Sequence, residues 1–298
     1  MLTHQSPTAR PPARVVILGA SGFLAVNLAR LLGEEAVDCR TIGSSENDLT
    51  QSEAWARLAS ILEPGDSLVV TSALTPDKGR DVNTLMKNLR MAENLCVALV
   101  KSPCAHVLYI SSDAVYDGRS TLIDEQSSRE PADLYGLMHT ARELMLAESC
   151  RIAKIPFCVV RPCAIYGFGD THNSYGPNRF LRMALSDGVI RLFGEGEERR
   201  DHVYIRDVVR LVKLCLAHRS AGAVNAASGC AISFGEVARL VADALNSGIR
   251  IETLPRGGPI THRHFDTTAL IRAFPDFCQT QAAEGINLTV AGTLAARR

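Results

Sequence analysis

The stretch RVVILGASGFLA, residues 14–25, limits what this chain can become more than any other. A run of β-branched residues leads straight into two glycines. A segment of helical period, FLAVNLARLLG (23–33), follows and ends at Gly33. Gly19, Gly22 and Ala25 stand at G-x-x-G-x-x-A spacing. Gly19 permits a tight turn, Gly22 lets an anion approach backbone N–H groups at a helix N-terminus, and Ala25 is small enough for helix to lie close on strand. Plain chain reversal would also use glycines. The strand before and the helix after are the context in which this spacing reads as a dinucleotide cradle.

The same strand–helix rhythm continues. DCRTIG (38–43), DSLVVTSA (66–73), AHVLYISS (105–112) and PFCVVRP (156–162) read as strands. Helices are expected at 82–102, with apolar residues at 82, 85, 89, 92, 96 and 99, and at 133–153. Such alternation implies a parallel sheet covered on both faces. After residue 165 the pattern loosens into a Gly/Asn-rich loop, YGFGDTHNSYGPN, then short strands and helices. Ser233 with Glu236 three residues on has capping-box spacing. The expected division is a flexible tail at 1–13, a dinucleotide-binding domain at 14–165 to which later segments return, and a smaller substrate lobe at 166–298. The cleft between them is the natural ligand site.

Composition removes several alternatives. The 32 basic and 32 acidic residues cancel, so the chain lacks the basic excess of a nucleic-acid or anionic-membrane surface. No apolar run has membrane-spanning length, and the first thirteen residues hold no signal-peptide core. The nine cysteines are odd in number and without C-x-x-C spacing, which points to reduced thiols in a cytoplasmic setting rather than disulfides or zinc. His202, His262 and His264 form no coherent ligand set, so no metal site is expected.

Five motifs occur in order: the glycine loop, SSDAVYDG (111–118), YGLMH (135–139), VVRPCAIYG (159–167) and GEGEERRDHVYIRDV (194–208). Together they resemble the extended short-chain dehydrogenase/reductase family, in its NAD-dependent nucleotide-sugar epimerase/dehydratase group, from about residue 14 to 275. The resemblance implies a Rossmann-type doubly wound parallel sheet with a smaller C-terminal α/β substrate lobe. It implies NAD or NADP as cofactor, a nucleotide-diphosphate sugar as substrate, and a homodimer built on the two long helices. Ser112 and Tyr135 match the catalytic positions. Asp113 matches one half of a dehydratase acid–base pair whose other half is Ala114 here, which disfavours 4,6-dehydration. For the cofactor, the matching positions are Gly19, Ser21, Gly22, Phe23, Leu24, Asp48, Leu49, Ser72, Ala73, Leu74, Pro162 and Ile165, with Tyr135 and His139. Asn88 matches a structural or relay asparagine. For the substrate they are Ser112, Asn178, Arg200 and, more loosely, Arg263. The acid that grips an adenosine ribose has no clear counterpart, because Gly43 and Ser44 fall there. NAD and NADP both stay open.

His139 departs from the family pattern, which has lysine four residues after the tyrosine. A tyrosine near pKa 10 is a poor base at neutrality, and a fixed cation beside it brings the value down. Histidine, near 6.5, is mostly neutral at pH 7. Three readings follow: a modified acid–base pair with a lower pH optimum, a dinucleotide binder with little or no turnover, or an accidental match with His139 on the helix surface. On the first, His139→Lys would leave or raise turnover near pH 7.5. The leading expectation is epimerisation of a nucleotide sugar through a keto intermediate. Reduction of a deoxysugar ketone is the alternative.

Overall fold

A computed structural model describes residues 2–246 and 248–297; Met1 of the tail, and Ser247 and Arg298 of the lobe, lie outside the described residues. The central sheet has, among the described residues, seven strands: β1 (Thr3–His4), β2 (Arg14–Leu18), β3 (Cys39–Ile42), β4 (Asp66–Val70), β5 (His106–Ile110), β6 (Phe157–Pro162) and β7 (Ser220–Ala226). Their spatial order is β1-β7-β6-β5-β4-β2-β3, and all but β1 run parallel. β2 is apolar at every inward position because both faces are covered. Val15 and Ile17 meet one helical layer, Val16 and Leu18 the other. One layer contains α1 (Phe23–Glu34) and α6 (Ile205–Ala217). The other contains α2 (Ala54–Ile61), α3 (Val82–Lys101) and α4 (Leu134–Ala153). This is a doubly wound, Rossmann-type sheet.

From β2 the chain steps to β3 on one side and then to β4 on the other. The order therefore reverses between β2 and β4, and the crevice beyond their carboxyl ends is where such sheets hold ligands. The remaining lobe packs α5 (Pro177–Asp187), α7 (Phe234–Leu245) and α8 (Ala282–Ala295) around Tyr166, Phe180, Val237 and Ile286. The Ser233–Glu236 capping box is formed in both directions. The segment Ile205–Ala226 returns to the sheet as α6 and β7.

Two local expectations are corrected. The N-terminal segment is docked rather than flexible: Thr3–His4 add an antiparallel strand to β7, and the His4 ring bonds Ser220 Oγ (2.9 Å) and Ala273 O (3.1 Å). The tail satisfies the backbone of what would otherwise be an edge strand. The face that α3 buries is also rotated from the expected stripe. It centres on Thr84, Asn88, Met91, Leu95 and Ala98, leaving Val82 64% exposed. Asn88 and Asn94 are buried polar residues that tie loops to the helix. Asn94 Nδ2 donates to Leu49 O and Gln51 O, and Asn88 brackets Leu74 through both its N–H and its C=O.

Candidate active site

Gly19 sits at φ +103°, and a Cβ there would lie 2.6 Å from Thr71 Oγ1 and 3.0 Å from Ser72 N. Only glycine lets the end of β2 lie this close to the end of β4. α1 begins directly after Gly22, and no side chain caps it. Its first-turn N–H groups, those of Phe23, Leu24 and Ala25, thus lack intrahelical acceptors and suit an anion. Ser21 belongs to the same exposed turn, whereas the side chains of Phe23 and Leu24 are buried.

Ser112 follows β5 and caps the short turn Asp113–Val115. Its Oγ accepts from Ala114 N (3.1 Å) and donates to Asp113 Oδ1 (3.3 Å), and it stands near enough to the Tyr135 phenol to favour the phenolate. Tyr135 lies in the first turn of α4, which Asp133 caps by accepting from Gly136 N (2.9 Å). The helix can approach the Ser112 turn because residue 136 has no side chain: a Cβ there would be 2.1 Å from Ala114 O and 2.7 Å from Pro131 Cβ. Gly136→Ala is therefore expected to push α4 off the turn and lower turnover by about 10²-fold through misalignment of Ser112 and Tyr135. Steady-state kinetics beside a thermal melt separates this from general unfolding.

His139 is not on the helix surface; it is 3% exposed. Its Nδ1 lies 2.6 Å from the Tyr109 hydroxyl, and its ring meets Tyr135 edge-on with centroids 4.7 Å apart. Burial, and then the nearby Arg142 charge, push its pKa down to about 3. The idea of a protonated His139 and a lower pH optimum is thus replaced by a neutral imidazole. Tyr109 is itself buried, and its O–H has no other partner among the described residues, so it donates to Nδ1. The proton of His139 then resides on Nε2, which is buried and unpartnered. Burial also raises Tyr135 to about 12, with Ser112 acting in the opposite sense.

The unpartnered buried atoms bear on the cofactor. Among the described residues, Ser72 Oγ, His139 Nε2 and Arg142 Nε have no hydrogen-bond partner, while Arg142 Nη2 donates to Ser72 O (2.8 Å). Ser72 in turn adjoins Gly19. A run of unsatisfied groups links the glycine loop to Tyr135, and a ribosyl-nicotinamide moiety rich in oxygen fits it. Ala73 and Leu74 follow Ser72, with Leu74 pinned by Asn88. Pro162 ends β6, and Ile165 packs on the cluster containing Phe23. Asp48 spends its carboxylate on Thr50 and Gln51, and Leu49 faces the core. Arg40 is held by Glu46 at 2.6 Å.

On the substrate side, Arg200 and Arg263 are β-bridge neighbours. Arg263 Nη2 donates to Asp113 O (2.6 Å), and its Nε stands 3.7 Å from Asp113 Oδ2. Both guanidinium-bearing residues and the Ser112–Asp113 turn are thus brought together. Arg200 is steadied by Thr261 through its O and Oγ1. Burial raises the Asp113 pKa, and Arg263 offsets this in part. Asn178 is placed differently: its amide donates to Gly167 O and accepts from Gly167 N, pinning the loop after residue 166.

Several neighbours escaped the sequence reading. Arg142, Glu143 and Tyr109 are buried around His139. Glu143 receives Arg161 through two bonds (2.9 and 2.7 Å), Ser111 Oγ (2.5 Å) and Arg129 (3.1 Å). Arg161 also donates to Tyr116, which donates to Asn225. This lattice braces the strand ends that carry Ser112. The lobe adds a cavity of about 440 Å³ whose lining includes Tyr175, Arg179, Arg182, Arg191, Phe193 and Leu254. The only sequence signal for it is the clustering of Arg and aromatic residues at 175–193. Among the described residues no group of His, Cys, Asp or Glu is placed to hold a metal, and no helix is long and apolar enough to cross a membrane.

The fold is shared with solved enzymes. It is similar to a UDP-N-acetylglucosamine 4-epimerase from Methanobrevibacter ruminantium M1 in complex with UDP-N-acetylmuramic acid, at 19% identity and a TM-score of 0.83, covering 96% of this chain and 100% of that one. A GDP-L-fucose synthetase from Naegleria fowleri bound to NADP gives 17%, 0.85, 99% and 97%. The UDP-glucose 4-epimerase of Thermus thermophilus, a complex with NAD, gives 18%, 0.81, 95% and 99%. Residues 15–227, spanning the glycine loop, Ser112, Tyr135 and β7, match the family described as NAD dependent epimerase/dehydratase, and the chain belongs to that family.

Proposed function

We propose that the protein is an NAD(P)-dependent enzyme that epimerises a nucleotide-diphosphate sugar through a keto intermediate. The observation that supports this is the nearness of Tyr135 to Ser112 after the carboxyl end of β5, with Arg263 donating to the Asp113 carbonyl of the same turn. Ser112 would orient the reacting sugar hydroxyl. Tyr135 would take its proton as the carbinol carbon is oxidised and return it when the ketone is reduced from the other face. A bound nicotinamide supplies hydride acceptance and return. Gly19 and the open N-terminus of α1 would hold the pyrophosphate, and Ser72 and His139 Nε2–H the ribose beside it. The ion pair of Arg40 with Glu46 occupies a cation beside the β3 turn and favours the unphosphorylated ribose of NAD. Arg200 and Arg263 would face the sugar-linked diphosphate, and the Arg- and aromatic-lined cavity the nucleoside.

The test is a panel of nucleotide-diphosphate sugars followed by NMR, with absorbance at 340 nm recorded in parallel. Inverted sugar with no net change at 340 nm supports the reading. Steady consumption of added reduced dinucleotide marks a ketoreductase. Dinucleotide binding with no sugar converted marks a non-catalytic binder.

A homodimer is part of the same reading. The rotated face of α3 leaves Val82 and Met86 exposed, and α4, packed beside it, exposes Leu137, Leu144 and Ile152. Two such helix pairs would cover this apolar surface in a four-helix interface. Sedimentation velocity is expected to give a dimer for the unaltered chain and a folded monomer, or a dimer weakened at least about tenfold, for Leu144→Glu.

A further inference from the structure

Helix α4 buries a residue whose positive charge none of these roles uses, although its Nε was counted among the unpartnered atoms beside the cofactor crevice. Arg142 is 0% exposed. Nη2 donates to Ser72 O (2.8 Å) and Nη1 to Asn88 Oδ1 (3.3 Å), while the guanidinium lies over the Tyr109 ring at 5.2 Å. Among the described residues no carboxylate comes within ion-pair distance of it. The adjacent Glu143 is already taken by Arg161 and Arg129. A cation enclosed without a counter-ion is costly, and arginine cannot relieve the cost by losing its proton. Such a group persists where it acts on something.

What it faces is the candidate acid–base centre. Arg142 touches Tyr109, Tyr109 bonds His139, and His139 packs edge-on against Tyr135. The other charged groups around Tyr135 are Asp113, in the turn after β5, and Asp133, the cap of α4. Both disfavour a tyrosinate. Tyr109 and His139 are neutral. Arg142 acts in the opposite sense to the two aspartates, drawing the phenols of Tyr135 and Tyr109 down and keeping His139 deprotonated.

Taking Tyr135 as the acid–base group of the proposed reaction, we propose that Arg142 is the positioning residue that carries this site's fixed positive charge, in place of a lysine at 139. The charge has moved three residues along α4. The side chain leans back toward the helix N-terminus, as its 3.9 Å approach to Met138 Sδ shows. The same placement explains a neutral residue at 139, because an ammonium there would stand beside an enclosed guanidinium. The expectation that His139→Lys would be tolerated is revised accordingly.

The test reads the tyrosine itself, without sugar or turnover. The protein has six tyrosines, so incorporation of 3-fluorotyrosine gives few enough ¹⁹F resonances to follow singly. Tyr135→Phe identifies the one of interest. Fluorination also lowers the phenol's titration range. Arg142→Met is expected to move the Tyr135 transition up by about one pH unit. Arg142→Lys should keep it within about half a unit, and His139→Gln should leave it in place. An unmoved transition in folded Arg142→Met overturns the proposal. So does an upward shift in His139→Gln as large as that expected for Arg142→Met. Should Arg142→Met fail to fold, Arg142→Gln takes its place, with the same upward shift expected and an unmoved transition overturning the proposal. Failure of every sugar in the panel would count against the reaction while leaving this titration standing.

Discussion

Tyr135→Phe is expected to lower turnover of the cognate nucleotide sugar by about 10²–10⁴-fold, the usual worth of a positioned proton-transfer group. The change removes one hydroxyl from a half-buried side chain whose ring packs on His139 and whose phenol meets Ser112. Dinucleotide affinity should stay within about threefold, because the glycine loop, Ser72 and His139 are untouched. The pH profile adds a second check. A histidine held near pKa 3 does not titrate between pH 5.5 and 7.5, so no inflection in kcat/KM should trace to His139 there. Rate assays on the two proteins, with calorimetry for NAD, separate a lost acid–base group from a lost binding site. Unchanged turnover in Tyr135→Phe would remove Tyr135 from the reaction.

Acid is expected to destabilise the protein well above the carboxylate range. Three buried histidines carry depressed values: His139 at about 3, and His106 and His202 at about 4, burial being the first cause in each. The sign follows from proton counting. Below about pH 6.5 the unfolded chain protonates these rings while the folded chain does not, so stability is full above that pH and declines as it falls toward the folded values. From pH 7 to 5.5 each histidine should cost about 1 kcal/mol, or about 3–4 kcal/mol together. Asp113, Glu125, Asp170 and Asp207, whose pKa values burial raises, oppose the trend at lower pH. Urea unfolding at the two pH values checks this, and His139→Gln should remove about a third of the loss. Equal midpoints would mean that the imidazoles are protonated in the fold.

Much of this architecture was legible in residue order. β2, the glycine turn and α1 could be read directly, because a strand covered on both faces is apolar throughout and because Gly19 has no substitute at its conformation. The capping box at Ser233 was equally plain, being wholly local. What escaped depends on tertiary placement. Asn88 and Asn94 look like solvated residues, yet they face inward to tie loops down, and this shifts the buried face of α3 to one side of the apparent apolar stripe, whose Ala92 and Leu99 stay buried while Val82 is exposed. His139, Arg142 and Glu143 reverse the ordinary pattern of α4 by burying polar groups on its inner face. No spacing rule reveals that Glu143 will meet Arg161 from β6, or that Tyr109 will fix a proton on His139. The two-residue strand at Thr3–His4 was hidden for a related reason: its partner, β7, lies more than 200 residues away.

The central claim is that hydride leaves a sugar carbon and returns to it within one closed site. Turnover in D₂O tests this most directly. After exchangeable positions are washed back to hydrogen, mass spectrometry of the inverted sugar should show no carbon-bound deuterium, because the hydride never meets solvent and only the Tyr135 proton does. One deuterium at the inverted carbon would show that the carbon was deprotonated and reprotonated, and would contradict the account.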